Sequence, residues 1–63
     1  MNLGDYNAAL ADFSRVIEKD SDYGYAYFLR AQVHKRLGNE QEMKADYSKA
    51  LELAPKLKDE KFE

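Results

Sequence analysis

Moving the chain along itself by 34 residues brings Leu3, Gly4, Ala11, Asp12, Ser14 and Glu18 onto Leu37, Gly38, Ala45, Asp46, Ser48 and Glu52. The same offset sets Asp5 beside Asn39, Phe13 beside Tyr47, Arg15 beside Lys49 and Ile17 beside Leu51. Two unrelated amphipathic helices could share some apolar positions. They would hardly share the Leu-Gly turn, the capping residue after it and the exposed Ser and Glu as well. A fixed period of this length confines the fold to architectures that stack copies of one supersecondary unit, each packing on its neighbours.

Each copy is a helix by its pattern. Tyr6, Ala9, Leu10, Phe13, Val16 and Ile17 form one apolar stripe, and Met43, Tyr47, Ala50, Leu51 and Ala54 form its counterpart. Between them lies YGYAYFLRAQVHKRL. Ala26, Val33 and Leu37 recur on one flank of this stretch and Tyr23, Tyr27 and Ala31 on the next, so the middle helix is expected to be covered on both sides. Helices are expected over 6–19, 23–37 and 40–54, followed by a tail over 55–63. Asp5 is suited to cap the first, because its carboxylate can accept backbone N–H groups of the opening turn. Asp20, Ser21 and Asp22 make a polar break. Gly38 supplies a left-handed residue that stops the middle helix, and Asn39 with Glu42 has the spacing of a capping box. Pro55 disfavours a helical Ala54 and ends the third.

Composition narrows the function. At 63 residues the chain is one small unit, of a size at which a lone core supplies only about 3–5 kcal/mol. With no cysteine and one histidine it offers neither a thiolate nor an imidazole metal site, and no cofactor is expected. A net charge of −2 with both signs interspersed provides no basic footprint for nucleic acid or for an anionic membrane surface. No apolar run approaches the roughly 20 residues of a membrane span, and the start lacks a signal peptide's pattern. A soluble, cytoplasmic protein is the default expectation. Ser14, Ser21 and Ser48 read as lying on solvent faces or turns, and no nucleophile and base pair is legible, so catalysis has no support.

A period of 34 with helix, Gly turn and helix resembles the tetratricopeptide repeat family. The family's second-helix signature, Ala and then an aromatic four residues on, reads Ala9 and Phe13 in one copy and Met43 and Tyr47 in the other. Pro55 stands where the closing Pro belongs, with Ser21 in the earlier copy. The first-helix signature reads Tyr27, then Arg30 and Ala31, then His34, in looser form. The resemblance implies an all-α fold of three antiparallel helices, a second helix followed by one full helix-turn-helix repeat, and about one and a half repeats of an α-solenoid. Leu57 and Phe62 fall at the start of a further first helix, so the tail reads either as a solvating cap or as frayed chain. Because solenoids need about three repeats to bury a core, the chain reads either as a piece of a longer array or as one completed by a second copy, so that self-association is expected in the latter case.

Three groups of residues stand out as sites. His34 shares a face with Tyr27 and Ala31 and reads as a packed core histidine. Arg30 flanks the middle helix's stripe while Asp12 and Asp46 flank theirs, which points to a structural ion pair of Arg30 with Asp46 or with Asp12. Tyr25, Phe28, Leu29, Gln32 and Arg36 share one arc opposite Tyr27 and His34. The resemblance places that arc in a concave groove, and aromatic anchors rimmed by polar groups suit binding of a peptide or partner protein. The plainer alternative is that these residues pack under neighbouring repeats or a second copy. Phe28 and Leu29 occupy the places at which some family members carry a carboxylate clamp, so that clamp is absent. The expected function is a non-catalytic protein interaction module, with a self-assembling structural element as the alternative.

Overall fold

A computed structural model of the protein describes residues 5–59. The expectations for Leu3, Gly4 and Phe62 lie outside the described residues. Three helices follow one another, α1 (Tyr6–Lys19), α2 (Gly24–Leu37) and α3 (Glu40–Leu53), and a 3₁₀ turn spans Pro55–Asp59. The fold is all-α, with α2 packed on both of its neighbours and most extensively on α3.

Local chemistry accounts for the ends. The Asp5 carboxylate accepts the Ala8 N–H at 3.3 Å and opens α1. Asp20 closes it, its own N–H donating to Val16 O at 2.8 Å. Its Oδ1 then accepts the Asp22 N–H at 3.3 Å, and its carbonyl accepts the Tyr23 N–H at 3.1 Å. This side-chain-braced turn leaves Tyr23 extended, so α2 begins one residue later than its apolar pattern does. At the other end Gly38 has φ +82°, with Gly38 N–H on Lys35 O and Asn39 N–H on His34 O. These are the paired bonds of a Schellman stop, and they require the left-handed region that glycine enters freely.

Asn39 opens α3 without a side-chain cap. The expected capping box with Glu42 is not made, because the Asn39 amide turns to His34 instead, Nδ2 lying 3.3 Å from Nδ1. Ala54 leaves helical geometry ahead of Pro55, as the proline ring demands.

The core is narrow and centred on α2. Ala26, Phe28, Ala31 and Val33 are almost fully buried, and Ala50 of α3 joins them. Tyr27, Phe28, Ala50 and Leu57 form one cluster, with Ile17, Tyr47, Leu51, Leu53 and Ala54 packed around it. Leu57 is thus folded into the core, so the segment over 55–59 is packed rather than frayed. Small residues let α2 approach α3 closely: a Cβ on Gly24 would lie 3.0 Å from Ala54 Cβ and 3.2 Å from Ala50 O. Tyr27 is buried but donates its hydroxyl to Ser21 O at 3.1 Å, tying α2 back to the turn before it.

Candidate functional site

Arg30, in the middle of α2, reaches both flanking helices. Its Nε donates to Asp46 Oδ2 at 2.7 Å and its Nη2 to Asp46 Oδ1 at 2.8 Å, a two-pronged pair between planar groups. Nη1 donates to Ser14 Oγ of α1 at 3.2 Å. The guanidinium carbon lies 5.6 Å from the centre of the Tyr27 ring. Of the two acidic residues that the sequence left open as partners, the structure sets Asp46 against Arg30, while Asp12 is exposed and has no ion-pair partner among the described residues. Ser14, expected on a solvent face, is half-buried as Arg30's third contact.

His34 completes the cluster. Its Nε2 lies 3.6 Å from Asp46 Oδ2, and Asn39 Nδ2 approaches Nδ1. With the Asn39 amide as donor, Nδ1 accepts and the Nε2 proton faces Asp46. The Asp46 side chain is 10% exposed and the His34 side chain 14%, and every buried side-chain N or O among the described residues has a partner. The two N–H donations from Arg30 into the Asp46 carboxylate hold the Arg30 pKa above its ordinary value. Both oxygens of Asp46 are thus engaged by a permanent cation. Arg30 thereby bonds to side chains of both flanking helices, Ser14 of α1 and Asp46 of α3.

The arc expected to bind a partner is divided by the structure. Tyr25 is 45% exposed, Arg36 is exposed, and Leu29 and Gln32 are half-buried. Phe28 is only 3% exposed and belongs to the core, so it is not the open anchor that its place on the arc suggests. It is the base of an aromatic ladder instead. The Tyr25 ring stacks on it at 6.1 Å with planes 19° apart, Tyr47 meets it at 6.1 Å with planes 38° apart, and Tyr23 tilts against Tyr25 at 6.4 Å. Tyr23, expected on a covered flank, is 46% exposed.

A family model described as a tetratricopeptide repeat matches residues 24–57, and one described as a TPR repeat matches residues 1–38. The chain belongs to the tetratricopeptide repeat family. The matches correspond to about one and a half repeats of it. No curated protein and no solved structure matches the chain. Tetratricopeptide repeats generally mediate protein–protein interaction and are generally non-catalytic.

Within this tetratricopeptide unit, α2 and α3 form the complete helix pair and α1 is the second helix of the pair before it. Sequence reasoning missed two residues of the site. Tyr23 could have been found from its position directly after Asp20, Ser21 and Asp22, where a braced turn holds a side chain off the helix face. Ser14 could have been found from the repeat itself, since a small hydroxyl recurs at Ser48. No helix among the described residues is long and apolar enough to cross a membrane. No group of three or more potential metal ligands occurs among them. A depression lined by Lys35, Gly38, Asn39, Glu42 and Met43 lies at the α2–α3 turn.

Proposed function

We propose that the chain is a non-catalytic protein interaction module that takes a peptide or a partner protein segment against the start of α2. Tyr23 and Tyr25 are its anchors, with Leu29, Gln32 and Arg36 along the same helix supplying an apolar shelf and a polar rim. The observation that carries this reading is the ladder of two half-exposed tyrosines supported from beneath by buried Phe28. A rigid aromatic seated on the core loses little entropy when a partner covers it, and tyrosine and arginine are the residue types on which binding energy concentrates.

Self-assembly is the second reading, favoured by the additional exposure of Val16 and Leu37, 38% and 39%. One experiment separates the two. Peptides are selected from a displayed library with the full chain as bait, and Tyr25→Glu and Arg36→Glu chains are then tested for binding and for solution mass. The module reading expects capture to weaken at least about tenfold, the equivalent of 1.4 kcal/mol, with the mass unchanged. A wild-type oligomer that Tyr25→Glu dissociates would instead establish self-assembly. Phe28→Glu is unsuitable for this purpose, because it would place a charge in the core.

A further inference from the structure

The chain has one histidine, the residue type whose charge ordinarily changes between about pH 5 and 8, and the fold seats it between two partners of opposite kind. Toward α3, Nε2 faces Asp46 Oδ2 at 3.6 Å, a carboxylate oxygen that can only accept. Toward the α2–α3 turn, Nδ1 lies 3.3 Å from Asn39 Nδ2, a group that can only donate. A neutral ring with its proton on Nε2 satisfies both. An imidazolium, with an N–H on each nitrogen, satisfies Asp46 alone, because its Nδ1–H would point at the Asn39 NH2 group. The tetratricopeptide pattern has a tyrosine at this position, which does not titrate in the same range, so the arrangement is this chain's own.

We propose that His34 and Asn39 form a pH-sensitive switch at the α2–α3 turn, in which a proton taken from water onto Nδ1 turns the Asn39 carboxamide over, so that its Oδ1 accepts where its Nδ2 had donated. The backbone keeps the two side chains together through the change. Asn39 N–H donates to His34 O at 2.8 Å, and Gly38 holds the bend between them at φ +82°. What remains free is the last torsion of the Asn39 side chain, which is broad and roughly two-fold, so a half-turn leaves it in a favoured well. Asn39 makes no side-chain cap to α3 that would oppose the turn.

The surroundings accept the charged ring. Asp46 of α3 faces Nε2, and Arg30, one turn earlier on α2, is already committed to that carboxylate. Glu40 and Glu42 in the first turn of α3 are exposed, as are Asp12, Arg15, Glu18 and Lys19 of α1. His34 also lies in the last turn of α2, where the unpaired carbonyl ends favour a cation. Asn39 lines the depression at the turn together with Lys35, Glu42 and Met43, so turning its amide exchanges a donor and an acceptor beside that depression.

The test is a nuclear magnetic resonance titration of the full chain, labelled with nitrogen-15, from about pH 8 to about pH 5. At the upper end Nδ1 should resonate as the unprotonated ring nitrogen and Nε2 as the protonated one. As Nδ1 gains its proton, the Asn39 side-chain NH2 resonances should shift with the same midpoint, and their Overhauser contacts to the His34 ring should be lost, while the backbone amides keep their dispersion. Asn39→Asp puts a group that only accepts against Nδ1, so the imidazolium pattern should persist to a pH about one unit or more above the wild type's. A neutral ring protonated on Nδ1 would overturn the proposal. So would Asn39 contacts to the ring that survive in acid, or an Asn39→Asp chain that titrates like the wild type. Collapse of the amide dispersion along with the titration would overturn it as well, because His34 would then take its proton only by leaving the fold.

Discussion

Asp12 and Asp46 occupy one position of one repeating pattern, yet the first is exposed and the second is buried. Ser14 and Ser48 are a second such pair with the outcome reversed, the first half-buried and the second exposed. Both differences have one cause. α2 lies against the Ser14 side of α1 and the Asp46 side of α3, so it covers differently turned faces of two near-copies, although Ile17 and Leu51, at one repeat position, both reach the core. In a stacked fold the environment of a residue belongs to the contact between neighbours, not to the helix that carries the residue.

The largest expected effect tests whether the α2–α3 half carries the stability. Phe28→Ala should cost about 3–5 kcal/mol, comparable to everything a core of this size supplies, and circular dichroism should show little cooperative melting. Phe13, half-buried on α1, should cost well under half as much when changed to Ala. Equal losses would break the comparison, because α1 would then be as firmly held as α3. Next come the aspartates. Asp46→Asn leaves Arg30 without its charge partner in a partly buried site, and about 1–3 kcal/mol is expected in urea unfolding. Asp12→Asn should fall within about 0.5 kcal/mol of wild type. The pair should also be insensitive to pH from the arginine side. A pKa raised on folding contributes stability that is fully present below the ordinary arginine range and is lost only as pH rises through the folded value, far above neutrality.

Much of the fold was legible because its determinants are periodic and local. The apolar stripes of α1 and α3, the glycine at 38 and the proline at 55 each act within a few residues of themselves, and the 34-residue offset makes one helix evidence for another. The site was legible only as a set of directions. A helical wheel shows that Phe28 shares an arc with Tyr25, but not that Tyr47 and Leu57 close over one and leave the other open. It leaves Asp12 and Asp46 equivalent, because they are equivalent until α2 takes its place. Asn39 was misread for a related reason. Capping by Asn is a local preference, and His34, one turn back across the glycine stop, competes for the same amide.

Smaller effects come from exchanging residues between the copies. Ala50→Val puts the residue of α1 into the closest approach of α2 and α3, where overpacking costs typically about 1–3 kcal/mol. Val16→Ala makes the reverse change on an open face and should stay within about 0.5 kcal/mol. If both were neutral, the contact at Gly24 would be looser than the 3.0 Å and 3.2 Å separations imply.

The caps should give the smallest difference and the finest test. Asp5 and Asn39 are matched by the repeat, but only Asp5 bonds to the helix it opens. Asp5→Ala should therefore cost about 1 kcal/mol, the usual value of an N-cap, read as earlier fraying of α1 in amide hydrogen exchange. Asn39→Ala removes no cap and should leave exchange in the first turn of α3 nearly unchanged. Its effect should appear at His34, whose Nδ1 loses the amide beside it, as a shift in the imidazole nitrogen resonance. The opposite pattern, with α3 fraying and His34 silent, would mean that Asn39 caps α3 in solution and that the two copies are more alike at their starts than along their faces.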